Sequence, residues 1–192
     1  MTRAGARTRA ARLSLLAIGG AALGCAASGP SPQAPTEAST TERASVPTGP
    51  EICGNALDDN GNGLAEEGCG LTAGAVQFLI AWDEPSADVD LRVIDPNDEL
   101  VEVGRPTESG LVKERDCPGR DGECRGKNLE TVHQEEGEPA AGKYAVRVVL
   151  VSLGNSEPPI DVRLWARVGS RAYSRAFRLP RVESDWQTTL GL

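Results

Sequence analysis

Between Cys53 and Cys69 the chain reads CGNALDDNGNGLAEEGC, and oxygen-bearing side chains recur at every second position: Asp58, Asn60 and Asn62, followed by Gly63. A loop wraps a hard cation in this way. Alternate side chains face the ion, the glycine permits a sharp reversal, a backbone carbonyl adds a ligand and a later carboxylate closes the shell. The expected ligands are Asp58, Asn60, Asn62, the carbonyl of Leu64, and the carboxylates of Glu66 and Glu67, with calcium as the ion. The pattern departs from an EF-hand after six positions, because Cys69 stands where that loop has its closing Glu and no amphipathic helix flanks it. With Asn at two ligand positions the ligand charge is low, so a weak extracellular affinity is expected, about 0.1–1 mM. The competing reading is a disulfide-tied turn whose Asn, Asp and Gly supply left-handed backbone angles. Turns alone do not require alternating oxygens, so the ion is preferred.

The same stretch resembles a short cysteine-flanked, Asp/Asn-rich motif of myxobacterial secreted proteins and lipoproteins, E-x-C-G-N-G-x-D-D-N-G-N-G-x-x-D-E-G-C. It stands here as Glu51 through Cys69, with Ala56 for Gly and Glu66 for Asp. The resemblance implies metal binding. A carboxylate one methylene longer at position 66 must fold back to reach an ion.

The elements that present this loop begin at the N-terminus. Arg3, Arg7, Arg9 and Arg12 precede an apolar run from Leu13 to Leu23, too short to span a bilayer as a mature helix, so residues 1–24 read as an export signal. It ends in Ala22-Leu23-Gly24-Cys25, which resembles a bacterial lipobox and makes Cys25 the expected lipidated first residue. Five cysteines are an odd number. Assigning Cys25 to lipid leaves Cys53, Cys69, Cys117 and Cys124 as an even set for an oxidising compartment. Four cysteines allow three connectivities; the local pairs 53–69 and 117–124 are preferred because each brackets one turn-rich unit. Cys117 and Cys124, with six residues between them and no nearby His, do not suit zinc.

Removing the signal removes four basic residues and no acidic ones, so 16 Lys and Arg face 28 Asp and Glu, a mature net charge near −12. That balance argues against nucleic acid as a partner and favours association with cations. Residues 26–50 contain five Pro, four Ser and four Thr and no aromatic residue. They cannot bury enough surface to offset the entropy of ordering and read, with Cys25, as a disordered tether (25–50). The expected location is the bacterial cell envelope, lipid-anchored, on the outer membrane at its periplasmic or surface face.

After the loop, taken as residues 51–70, the texture changes. Val76, Phe78, Ile80 and Trp82 alternate with Gln77, Leu79 and Ala81, so this strand should be central and covered on both faces. Val89, Leu91 and Val93 alternate with Asp88, Asp90 and Arg92 in a half-buried strand, Leu100 to Val103 reads as a weaker strand, and Tyr144 to Leu150 gives another long apolar face. Ile160–Val168 and Arg171–Leu179 flank Gly169-Ser170 as a tight hairpin. Its register sets Ile160 against Leu179, Val162 against Phe177, Asp161 against Arg178 and Trp165 against Ser174. Seven or eight short strands and no helical period predict an all-β antiparallel β-sandwich over 71–192.

This region resembles an uncharacterised bacterial secreted β-sandwich domain with a W…D-x-D-L-H-V-x-x-P signature. The matching residues are Trp82-Asp83, Asp88-Val89-Asp90-Leu91-Arg92-Val93 and Asp95-Pro96, then Arg115-Asp116-Cys117, Lys127-Asn128-Leu129-Glu130, Ala141-Gly142-Lys143-Tyr144 and Trp186. The resemblance implies fold rather than activity.

Three further groups could carry chemistry. Asp88 and Asp90 project from one strand face and, with Asp83 and Asp116, could hold a second metal; a solvated sheet face is the preferred reading. His133 with Glu135 and Glu136 could act as a base, although no nucleophile accompanies it and it reads as exposed loop. Arg163, Arg167, Arg171, Arg175, Arg178 and Arg181 could meet an anionic polysaccharide or headgroup, or pair with acidic neighbours, which is preferred. No hydrolase or phosphate-loop motif is present. The expected function is a non-enzymatic envelope lipoprotein, a calcium-binding loop leading into a binding or structural module that contacts an envelope protein or glycan. The alternative is a secreted hydrolase working through carboxylates such as Asp88, Asp90 and Glu135.

Overall fold

The structure, a computed structural model, describes residues 49–118, 124 and 126–192. The expected export signal, Cys25 and nearly all of the tether lie outside the described residues. Eight strands follow in chain order: β1 (Val76–Trp82), β2 (Asp88–Ile94), β3 (Val112–Arg115), β4 (Leu129–Gln134), β5 (Lys143–Ser152), β6 (Ile160–Val168), β7 (Arg171–Leu179) and β8 (Asp185–Gly191). They form two sheets, a five-stranded one in the order β3-β4-β1-β6-β7 and a three-stranded one in the order β2-β5-β8. Every strand pairing within the sheets is antiparallel. The fold is an all-β sandwich, as the alternation of apolar residues predicts.

The core follows from that alternation. Val76, Phe78, Ile80 and Trp82 of β1 face Val89, Leu91 and Val93 of β2 and Tyr144, Val146, Val148 and Leu150 of β5 across the sandwich. Each large apolar side chain so buried contributes roughly 1.5–3 kcal/mol relative to exposure. Polar tips inside are satisfied locally: Trp82 Nε1 donates to the Ala87 carbonyl at 3.0 Å, and Tyr144 Oη donates to the Ala140 carbonyl at 2.9 Å. The β6–β7 hairpin turns at Gly169, with φ +61°, and carries the expected register, including Asp161 opposite Arg178, whose side chains are 2.7 Å apart.

Two local expectations are corrected. Leu100 to Val103 is not a strand; it makes only isolated bridges, Ile94 with Leu100 and Val103 with Lys113, within the excursion between β2 and β3. Asp95 organises that excursion instead, accepting from the amides of Asn97 and Glu99 and from Ser109 Oγ at 2.6 Å. His133 is not exposed loop but the fifth residue of β4, 6% exposed. Its strand, Leu129–Gln134, is buried along its whole length.

The second face of β1 positions the functional site. Leu79 and Ala81 of β1, Leu129 of β4 and Trp165 of β6 form an apolar patch on the outside of the five-stranded sheet. Ala56 and Ala65, both fully buried, and Leu71 cover it. The cysteine loop is therefore docked on the sheet, and this is why β1 is apolar on both faces. Gly74 makes the return possible: a Cβ there would stand 1.9 Å from the Gln134 carbonyl oxygen, so only glycine lets the chain pass into β1.

Candidate metal centre

Cys53 and Cys69 are disulfide-bonded with Cα atoms 5.5 Å apart, and Cys117 is bonded to Cys124. Both are the local pairs. A ring of the 53–69 size stabilises by roughly 3 kcal/mol in the loop-entropy description. Inside it the polar side chains fold the loop. Asp58 accepts from the Asn62 amide through Oδ1 at 3.0 Å and from the Gly63 amide through Oδ2 at 2.8 Å. Asn60 Oδ1 accepts from the Asn62 amide and Asn62 Oδ1 from the Leu64 amide. Gly63, at φ +88°, makes the reversal that a side chain would strain. Successive Asx turns thus gather the alternating side chains on the inside of one bend.

Glu67 closes that bend. The side-chain amides of Asn60 and Asn62 both converge on Glu67 Oε1, the latter at 2.5 Å. Glu67 Oε2 is buried and makes no hydrogen bond. Glu51 approaches from outside the disulfide ring. Its Oε1 accepts from the Glu66 amide at 2.9 Å, while its Oε2 is likewise buried without a hydrogen bond. Burial, with help from the charge of Glu67, pushes the Glu51 carboxyl up from its ordinary range against the lowering effect of the Glu66, Asp59 and Asn60 amides. Glu67 Oε2 is withdrawn from water without a donor, and Glu51 Oε2 meets no donor at full hydrogen-bond geometry, which is expensive unless a positive charge meets them. The donor set on this bend is all oxygen, the kind that suits a hard cation.

Glu66, also expected as a ligand, turns away from this bend. Its backbone is left-handed, φ +62°, and the side chain turns inward to 1% exposure. There Oε2 accepts from the Gly54 amide at 2.6 Å, and Oε1 accepts from the Asn55 and Ala56 amides at 2.7 and 2.9 Å. The longer carboxylate does fold back, onto the backbone of residues 54–56. Ala56, where the resembling motif has Gly, sits at φ +52° directly beneath this clamp. Glu51, close enough to Glu67 to feel its charge, is the other carboxylate at this bend. Lying before the cysteine pair, it carries no signal in the alternating pattern.

Two triads of metal-binding side chains lie within 4.8 Å of one another among the described residues: Cys53, Glu66 and Cys69, and Asp90, Asp116 and Glu130. In the first, both sulfurs are committed to the disulfide and both Glu66 oxygens to amides. In the second, a positive charge is already built in. Lys113 Nζ lies 2.5 Å from Asp116 Oδ1 and 2.8 Å from Glu130 Oε2. Glu130, fully buried, also accepts from the Leu91 amide at 2.6 Å and the Cys117 amide at 3.1 Å. Burial pushes its carboxyl up to about 8, against the pull of Lys113 and of the Leu91 and Cys117 amides. Burial also acts to lower the Lys113 ammonium, but Glu130 and Asp116 outweigh it and push it up.

Of the two residues considered for a second metal, Asp90 is a member of this triad and Asp88 borders it. Asp90 pairs with Arg92 at 2.8 Å. Burial, then Asp90 and Asp116, push the Asp88 carboxyl up. Asp83 is exposed and lies 3.8 Å from Arg163. Glu130 and Lys113 were not legible as partners, because only the pairing of β3 with β4, with its register slip between Lys113 and Arg115, brings them together.

The remaining candidates are dispersed. His133 Nδ1 lies 3.5 Å from Glu114, whereas Glu135 and Glu136 are exposed in the following turn. Arg163 donates to the Asn55 carbonyl of the docked loop, Arg167 to the Gly169 carbonyl, and Arg178 pairs with Asp161. These arginines do not converge on one point. Comparison with protein-family profiles, with curated proteins and with solved structures finds no match for this chain.

Proposed function

We propose that the chain is a non-enzymatic lipoprotein of the bacterial cell envelope, anchored through lipid on Cys25 and held off the membrane by residues 26–50. In this reading its Cys53–Cys69 loop binds calcium, and the loaded loop stiffens one face of a β-sandwich that contacts an envelope protein or glycan. The observation that carries the metal reading is the pair of buried, unpartnered carboxylate oxygens, Glu51 Oε2 and Glu67 Oε2. Asp58, Asn60, Asn62 and the Leu64 carbonyl complete the ligands. Calcium suits the site better than magnesium because it accepts many oxygens in irregular geometry, whereas magnesium demands a near-ideal octahedron. A module is favoured over a hydrolase because the perturbed carboxylates at Glu130 and Asp116 are held by Lys113, and Glu130 is sealed from solvent.

The test is calorimetric calcium titration of residues 26–192 beside the Asp58→Ala variant. Saturable heat with a dissociation constant of about 0.1–1 mM in the parent and none in the variant supports the reading. No heat in either removes the metal role. Acylation is tested separately, by mass analysis of the N-terminal peptide of envelope-purified protein, where an unmodified Cys25 removes the anchor.

A further inference from the structure

Lys113 is a lysine turned into the protein. It belongs to β3, an edge strand whose register slips between Lys113 and Arg115, and it is 7% exposed. Its ammonium is held 2.5 Å from Asp116 Oδ1, closer than an ordinary ammonium–carboxylate hydrogen bond. On its other side lies Glu130 Oε2, at 2.8 Å. Glu130 cannot swing away, because the amides of Leu91 and Cys117 hold both of its oxygens. An amine pressed against one carboxyl by a second, immobilised carboxyl has the reactants and the proton carrier of an amide condensation in place. We propose that Lys113 and Asp116 become joined by an intramolecular amide bond, Nζ to Cγ, with Glu130 as the proton carrier.

The step balances without any other reactant. Glu130 relays a proton from the Lys113 ammonium to the Asp116 carboxylate, and the freed lone pair attacks Cγ of the resulting carboxylic acid. The Cγ–O bond of one carboxyl oxygen then breaks. Of the three ammonium protons, one stays on the amide nitrogen and two leave with that oxygen as water, relayed by Glu130, which ends as it began. The Asp116 side chain is 29% exposed, which gives the water a way out.

Three physical terms favour the reaction here. Fixed neighbours react as if at effective molarities of about 10⁵–10⁸ M, enough to overcome the competition of bulk water. The product replaces a buried ammonium and a partly exposed carboxylate by one neutral amide, and Glu130, pushed up to about 8, takes a proton once its cation is gone. The Glu130 carboxyl, pushed up by burial to about 8, exchanges protons near neutrality. Against these, Glu130 and Asp116 hold Lys113 in its ammonium form, and Asp88 and Asp90 lie close by. The free amine is therefore the minor species. Each chain needs only one turnover, so a minor species is sufficient.

The bond would fix the bulged end of β3 beside the Cys117–Cys124 disulfide. It is independent of the cation loop. The test is mass spectrometry of the full chain, purified, reduced and digested with trypsin. The expected result is an intact reduced chain one water lighter than its sequence, no cleavage after Lys113, and two tryptic peptides, one ending at Arg115 and one beginning at Asp116, held together through Lys113 and Asp116. Asp116→Ala should restore cleavage, and Glu130→Gln should lower the linked fraction at least tenfold. Ordinary cleavage after Lys113 with unmodified masses in the parent chain overturns the proposal, and so does a link from Lys113 to Glu130. The parent chain alone decides the matter if either variant fails to fold.

Discussion

Replacing Glu66 by Ala removes the acceptor of three backbone amides at once, and the cost can be worked from their surroundings. The Ala56 amide is buried, while those of Gly54 and Asn55 are partly buried. A buried donor left unpaired costs about 1–3 kcal/mol, and donors that water can reach cost less. Full cost at Ala56 with partial cost at the other two gives about 3 kcal/mol. The disulfide does not compensate, since it constrains the unfolded chain equally with and without Glu66. Because Ala56 packs on Leu79, Ala81, Leu129 and Trp165, the loss should be felt by the sheet and not only by the loop. Chemical denaturation of parent and variant reads the total, and hydrogen exchange at residues 54–56 localises it. A loss below about 0.5 kcal/mol, the range of ordinary surface substitutions, with unchanged exchange at these amides, would refute the clamp and return Glu66 to the ion.

Two further outcomes follow from the same geometry. Trp165→Ala, at a site 7% exposed, should cost about 3–5 kcal/mol through the cavity it leaves and speed hydrogen exchange in the docked loop; undisturbed exchange there would show that the loop is not held by this patch. Burial acts to raise the Asp95 carboxyl, but hydrogen bonds from Ser109 and the Glu99 and Asn97 amides outweigh it and hold the group below the usual carboxylate range. A depressed folded-state value gives stability that is present above the unfolded value of about 3.9 and is lost as pH falls through the lower folded one. Asp95→Asn should therefore flatten the acid arm of a stability–pH profile, and identical acid arms would contradict that.

What the sequence made legible is what depends on periodicity. The β6–β7 register was readable because one alignment pairs Ile160 with Leu179 and Asp161 with Arg178 at the same time, and period-2 alternation admits no slip by one residue. The two-faced burial of β1 was also readable, though not the identity of its cover. The site was legible only where its signal is local. Asp58, Asn60 and Asn62 fold one bend, so their spacing carries the geometry. The Glu66 clamp was not legible because a carboxylate that binds amides and one that binds an ion look alike in a string of letters. Glu51, Lys113 and Glu130 were invisible as partners because tertiary closure alone brings each to its neighbour. His133 was misplaced because its strand, Leu129–Gln134, mixes polar letters with two-sided burial and so has no clean alternation.

The account rests on a cation meeting the two orphaned carboxylate oxygens, and calcium-dependent melting of the parent chain beside Glu51→Gln and Glu67→Gln tests it most directly. A site of about 0.1–1 mM affinity adds about 1–3 kcal/mol at 10 mM calcium through binding to the folded state alone. The predicted result is a calcium-dependent rise in melting temperature in the parent that is lost in both variants. A parent indifferent to calcium, or variants that respond as strongly as the parent, would contradict it.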